Sequence, residues 1–475
     1  MTITYVSAFL DLREDRSNDK SVDTCFGHFQ TLAESGIQIL VFLSKQYEHR
    51  IPQMPNLQFQ YMELEDLELY KTLPKDVRLP DHRTPHHDTR NFMILMNSKL
   101  EFVKRAIDLN PFGTEHYAWI DFSICHVFKE NKQTLPFLHL IGNSRLKPCL
   151  LFPGCWQANT SVSHQSVHWR FCGGFFLGDV NALTQFYQVY KENIAKIVHD
   201  TLMWEVNVWA ILEQSYDWHP TWFKADHNDS IVRIPKEYIQ IVASLTTIPS
   251  RMETDCRSAL DSLMPQVDRI YLSVPSYYKR FQAPLQLPAY LEEAPYKEKV
   301  EVVIGEDHGP ATKYLGGIGT IPRNSWVFFC DDDQEYAPNL VQRMVQTMRS
   351  VNEVYQNRYD IIQRTTSGGI IHGYVGNLAN IDTLVGLPHF PLPDCAYHVD
   401  DQWMSIYYFV RSIPIVRTGI EQYSEIFKIL ENNHEKIGTD SLAALGTRHE
   451  RVQQLANYFG LEFVDMGKIN WIQRL

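Results

Sequence analysis

The chain has 475 residues, 44% hydrophobic and 21% charged, the balance of a folded protein with room for roughly two to four domains. Its formal net charge of −12, from 44 basic against 56 acidic residues, argues against nucleic acid as the main partner, because phosphate backbones call for a basic face. The eight cysteines form no C-x-x-C pair, and no stretch is apolar for long enough to span a bilayer. The N-terminus lacks a basic segment followed by an apolar run, so a reducing, cytoplasmic setting is expected, with peripheral membrane contact left open.

In chain order, the first strand-like run is Ile3–Phe9. A helix is expected near Phe29–Ser35, ended by Gly36, then strands at Ile37–Leu43 and Leu57–Met62. Asn91–Leu109 carries Phe92, Leu95, Met96, Leu100, Val103 and Ala106 at helical spacing, and the strand His116–Ile120 then delivers Asp121. After I-P-K-E at Ile234–Glu237 the plan restarts. Strands are expected at Tyr238–Leu245, Arg269–Val274, Val300–Ile304 and Ser325–Phe329, with helices at Glu253–Leu263 and near Pro310. Both halves read β-α-β-β-α-β followed by an acid. That is α/β patterning, which implies a mainly parallel sheet with a site at the strand C-termini. The expected domains are residues 1–235 and 236–475, and the tail from Ile420 reads as helices with a closing strand at Leu461–Val464.

Trp326–Tyr336, W-V-F-F-C-D-D-D-Q-E-Y, runs an apolar strand into three aspartates. Adjacent carboxylates repel one another, so Asp331, Asp332 and Asp333 suit a hard divalent cation held over a diphosphate. Other groups fit the same chemistry. In S-L-T-T-I-P-S-R, Thr246 and Thr247 can hydrogen-bond a nucleotide and Arg251 can pair with phosphate. In G-P-A-T-K-Y, a Gly-Pro turn opens a helix with Lys313 one turn in, a plausible diphosphate cradle. In H-V-D-D-Q-W, Asp400 or Asp401 can serve as a general base, with a helix N-cap as the competing account.

T-T-I-P-S-R, G-P-A-T-K-Y, D-D-D and D-D-Q, in this order over roughly Tyr238–Ile420, resemble a compact GT-A glycosyltransferase domain. The resemblance implies that Asp331 and Asp333 ligate Mn²⁺ or Mg²⁺ and that Asp332, Thr247, Arg251 and Lys313 meet the nucleotide sugar. It also implies that Asp401, or Asp400, is the base that activates an acceptor hydroxyl. Thr2–Pro235 resembles the HtrL/YibB-type family, assigned to glycosyltransferases and also GT-A-like. The segments that carry it are H-H-D-T-R-N-F-M-I-L-M-N-S-K-L-E-F-V-K, H-Y-A-W-I-D-F-S-I, R-F-C-G-G-F-F-L-G-D and W-E-V-N-V-W-A. Here Asp121 takes the strand-end place, but Ser123 replaces the second acid of a D-x-D. A remote ligand from Asp226, His227 or Asp229 would complete a metal site, with His227 the residue of choice. Arg90, Asn97 and Lys99 would reach the nucleotide sugar, Gly173 and Gly174 would admit it closely, and Glu205 would act at the reacting centre. Trp204 and Trp209 fit the core better than a sugar platform.

The expectation is therefore two tandem GT-A-like, Rossmann-like α/β domains. They would form a bifunctional glycosyltransferase that uses nucleotide sugars and a glycan acceptor, metal-dependent at least in its second half. The competing reading keeps catalysis in the second half and makes the first a glycan- or nucleotide-binding module.

Overall fold

A computed structural model describes residues 1–10, 21–158, 161–357, 365–366, 369–429, 446–465 and 470–474. The chain divides into two compact units, Met1–Tyr238 and Ile239–Leu475.

The first unit holds one seven-stranded sheet: β1 Ile3–Phe9, β2 Ile39–Leu43, β3 Leu57–Tyr61, β4 His116–Ile120, β5 Leu150–Gly154, β6 Phe175–Asp179 and β7 Thr221–Lys224. The spatial order is β3-β2-β1-β4-β6-β5-β7. Parallel pairing joins β3, β2, β1 and β4 in turn, β6 runs antiparallel between β4 and β5, and β7 is parallel to β5. Central strands such as β2 (I-L-V-F-L) and β4 are buried along their whole length, as a sheet covered on both faces requires. The edge strand β3 alternates half-buried and exposed residues over most of its length.

The first helix spans Val22–Ala33, earlier than the expected Phe29–Ser35, because Ser21 Oγ accepts from the Thr24 N–H and caps it. The helix expected over Asn91–Leu109 is two helices, Arg90–Asn97 and Lys99–Leu109. Ser98 breaks it: its ψ is 4°, and its hydroxyl bonds back to the Ile94 carbonyl. The break falls immediately before Lys99.

The second unit holds an eight-stranded sheet: β8 Ile241–Leu245, β9 Arg269–Pro275, β10 Val300–Gly305, β11 Trp326–Phe329, β12 Val354–Gln356, β13 Thr365–Thr366, β14 Asn377–Asn380 and β15 Ile415–Arg417. Its order is β10-β9-β8-β11-β14-β12-β15-β13. Parallel pairs join β10, β9, β8 and β11, β14 is antiparallel to both β11 and β12, and β15 is parallel to β12. Leaving aside the two-residue edge strand β13 and numbering the other strands within each unit, both sheets have the same order and the same directions: third, second, first, fourth, sixth, fifth, seventh. The α/β plan is therefore stated twice, down to the one reversed strand beside the fourth. In the described tail the helix Arg448–Phe459 precedes the expected closing strand, Leu461–Asp465, which pairs antiparallel with a further strand, Asn470–Arg474. Part of the expected tail, residues 430–445 and 466–469, lies outside the described residues.

Candidate active site

In the second unit β11 ends at Phe329, and Cys330 and the three aspartates follow at the C-terminal edge of the sheet. Asp331, Asp332 and Asp333 line a cavity of about 290 Å³ together with Thr247, Arg251 and Lys313. Lys313 lies in the short helix Thr312–Leu315 with its side chain only 3% exposed. Its Nζ is 2.6 Å from Asp331 Oδ1 and 3.0 Å from Asp400 Oδ2. Burial opposes the ammonium charge, but Asp331 and Asp400 outweigh it and hold Lys313 well above the ordinary lysine range. Arg251 plays the same part for the other two acids, with Nη1 3.0 Å from Asp332 Oδ1 and 2.9 Å from Asp333 Oδ2. Thr247 Oγ1 donates to Asp332 Oδ2 at 2.5 Å.

Asp400 and Asp401 open the helix Asp400–Val410, where the N-terminal dipole favours negative charge. No side-chain cap bond is made there; Asp401 Oδ1 instead accepts from the Gly373 N–H at 3.0 Å. Burial and the neighbouring Asp400 push the Asp401 carboxyl up to about 7. Burial, Asp332 and Asp331 do the same to Asp333, also to about 7. Five carboxylates here share two directly paired cations, Arg251 and Lys313, and burial together with their mutual repulsion gives these raised values. Such an all-oxygen, over-charged donor set fits a hard divalent cation. Even so, among the described residues no three His, Cys, Asp or Glu side chains already converge as a metal site.

The first unit carries the same lysine-centred arrangement. Lys99 opens its helix with its side chain 1% exposed, and Nζ stands 3.1 Å from Asp121 Oδ1 and 2.8 Å from Glu205 Oε1. Asp121 follows β4 as Asp331 follows β11, and Glu205 is the first residue of the helix Glu205–Ser215 as Asp400 is of its own. Burial again opposes the ammonium, and Asp121 and Glu205 again leave its pKa raised. A glycine just ahead of the reversed strand makes room in both units. A Cβ on Gly173 would lie 2.2 Å from Glu205 Oε1, and one on Gly373 would lie 2.4 Å from Lys313 Nζ. Nothing larger than hydrogen fits either place without moving the ion pairs.

Several first-unit residues sit elsewhere than the sequence reading placed them. Lys99 gives its ammonium to Asp121, Glu205 and the Gly173 carbonyl, so it is enclosed and not offered to a nucleotide. Asn97 is buried and donates to the Met93 and Met203 carbonyls. Arg90 binds the Leu73 and Pro74 carbonyls over the Tyr70 ring. Asp229, a possible remote ligand, accepts from the Lys129 and Glu130 N–H groups and from Thr134 Oγ1, anchoring the start of the helix Asn131–Gly142. Asp121 Oδ1 also accepts from Trp119 Nε1 at 2.7 Å. His227 is exposed, its ring 5.7 Å from that of His126. Trp209 is core. In the second unit Arg251 and Lys313 are committed to carboxylates while still lining the cavity.

Sequence reading missed Asp307, Tyr397, Arg280, Arg448 and Arg451, which also line the cavity. They come from loops and from a helix distant in sequence, with no motif to mark them.

Residues 1–231 match the model of a family described as "Bacterial protein of unknown function (HtrL_YibB)". Protein HtrL of Escherichia coli (strain K12) is 24% identical over 146 residues, covering 26% of this chain and 51% of that protein, so the chain spans about half its length. Among solved structures, 4-diphosphocytidyl-2C-methyl-D-erythritol synthase from Anaerococcus prevotii DSM 20548 aligns with TM-score 0.27 and 10% identity, covering 48% of this chain and 91% of that one. A glycosyltransferase involved in glycosylation of the major capsid of PBCV-1 aligns at TM-score 0.24 and 13% identity, over 48% and 82%. Rv0371c of Mycobacterium tuberculosis H37Rv aligns at 0.25 and 7%, over 47% and 89%. Among the described residues no helix is long and apolar enough to cross a membrane. The family match ends at residue 231, inside the first unit.

Proposed function

We propose that the chain is a bifunctional glycosyltransferase in which each unit takes a sugar from a nucleotide donor to a glycan acceptor. The observation that carries this reading is the repeat of one site on one topology: a buried lysine holds a strand-end aspartate against an acid at a helix N-terminus.

In the second unit Thr246, Thr247 and Arg251 form the nucleotide end of the cavity. Asp331 and Asp333 would hold Mn²⁺ or Mg²⁺, which when bound offsets charge on the leaving diphosphate. Asp401, at the helix N-terminus, removes the acceptor hydroxyl proton, and its raised pKa suits a base working near neutral pH. Lys313 fixes the distance between the strand-end acid and that helix. In the first unit Glu205 takes the place of Asp400, and no step is derived through a metal.

A second reading keeps the first unit as a glycan- or nucleotide-binding module. It is favoured by Ser123 at the second-acid position and by the spare charge there, two carboxylates on one lysine against five on two cations.

The test is nucleoside diphosphate release by the full chain from a panel of nucleotide sugars with Mn²⁺, in wild type and in Asp333→Asn and Glu205→Gln variants. Each variant is expected to lose release from its own donor. A Glu205→Gln chain that keeps every activity assigns the first unit to binding, and a wild-type chain inert toward the whole panel removes the transferase reading.

A further inference from the structure

The cavity of the second unit is lined by Arg280, Arg448 and Arg451, beside Tyr397 and His398, as well as by the aspartates. These three guanidiniums reach one cavity from two separate places: the loop after Tyr277–Tyr278 and the first turn of the helix Arg448–Phe459. Packing sets that helix in place. Leu455 and Ala456 are buried, and Phe459 stacks on Phe390 with ring centroids 5.0 Å apart.

Among the described residues none of the three arginines has a carboxylate within 4.0 Å. Two acids on neighbouring elements are engaged elsewhere. Asp307 accepts from Tyr397 Oη at 2.7 Å and from the Lys279 and Gly309 N–H groups, and Glu450 accepts from Gln454 Nε2. The helix adds a second argument. Arg448 and Arg451 stand at its N-terminal end, where the helix dipole disfavours cations, and Arg451 Nε donates to Thr447 Oγ1 at 3.0 Å. An anion would satisfy the arginines and the helix terminus together. His398, two residues from Asp400, lines the cavity with them, and burial, Arg451 and Arg280 hold its imidazole below its ordinary pKa.

We infer that Arg280, Arg448 and Arg451 form a phosphate-binding subsite separate from the nucleotide end, which holds an anionic group of the ligand on which the second unit acts. The inference uses the transferase reading only in naming that ligand the acceptor.

The probes are inorganic phosphate, pyrophosphate and UDP, titrated calorimetrically into the full chain, its Arg280→Gln/Arg451→Gln variant, and a variant at the exposed Arg448, Arg448→Gln. Expected are binding of phosphate and pyrophosphate that weakens with salt, at least tenfold weaker binding in the double variant, and UDP binding changed less than twofold. Arg448→Lys, which keeps the charge, should keep most of the affinity. Phosphate affinity equal in all variants, or no phosphate binding at all, overturns the subsite. Competition between UDP and phosphate for one site assigns the arginines to the donor diphosphate and overturns the separate location. If no nucleotide sugar is turned over while phosphate binding still depends on these arginines, the transferase reading falls and the subsite stands.

Discussion

Replacing Lys313 by methionine removes the charge and keeps most of the length. Two carboxylates then lose their shared partner: Asp400, with its side chain 11% exposed, and Asp331, 32% exposed. Removing one partner of a buried ion pair costs about 3–5 kcal/mol, because the remaining charge is left uncompensated. Water reaches Asp331, so the lower end applies, about 3 kcal/mol, or about 100-fold in an opening equilibrium. Lys313→Met/Asp400→Asn takes away the more buried orphan as well and should recover much of the loss, since removing both partners costs far less than stranding one. Hydrogen exchange of the β8 and β11 amides reads this locally, without requiring the whole chain to unfold as one step. Lys99→Met should act on β1 and β4 in the same way, because Lys99 and Glu205 are as deeply buried. If Lys313→Met changes exchange less than about threefold, or the double variant is worse than the single, the lysine does not compensate these acids and the reasoning is wrong.

Four further outcomes are expected. Gly373→Ala, which puts a methyl 2.4 Å from Lys313 Nζ, should lower second-unit turnover by about 100-fold with little change in nucleotide affinity; equal kcat in the variant would refute the crowding argument. With Asp401 pushed up to about 7, the base is protonated below that pH, so kcat/KM at fixed Mn²⁺ should fall toward acid and level off above it; a flat profile across this range removes Asp401 as base. Mn²⁺ should raise the unfolding temperature more at pH 8 than at pH 5.5, since Asp333, also at about 7, is protonated at the lower pH, and Asp333→Asn should abolish the difference. Asp229→Ala should cost about 1 kcal/mol through its lost helix-anchoring bonds while donor hydrolysis stays unchanged; loss of activity at wild-type stability would return Asp229 to the site.

The strands nearest the sites were legible because burial on both faces writes itself as continuous apolar runs: I-L-V-F-L for β2, W-V-F-F for β11. The acid after each fourth strand was legible for the same reason, as the first charge following such a run. The strands β5–β7 and β12–β15 carry weaker signals. Several hold three or four residues, and β14 (N-L-A-N) is short and polar at both ends. The break at Ser98 hid inside good helical periodicity, because an apolar stripe does not register a hydroxyl that bonds back to its own backbone. The lysines were legible as candidates, but their carboxylate partners were not. Periodicity cannot tell a cation that faces a ligand from one that faces two acids more than a hundred residues apart in the case of Lys99 and Glu205. The arginines of the cavity wall had no signal at all, since residues 280, 448 and 451 become neighbours only through the packing of the last helix.

The two sites differ in a way that bears on what each can do. Around Lys99 the charge is nearly settled: one ammonium, two carboxylates, and Asp121 further held by Trp119 Nε1. Around Lys313 and Arg251 it is not, and burial, with neighbouring carboxylates, pushes two of the five carboxyls up to about 7. A site left with spare negative charge gains from binding a cation, whereas one already neutralised from within gains little. The shared lysine therefore belongs to the architecture of both units, and the extra aspartates belong to the chemistry of the second. By this argument Mn²⁺ should stabilise β8 and β11 against exchange and leave β1 and β4 unchanged. Equal protection of both sheets would show that the first unit, despite its lysine, also holds a metal.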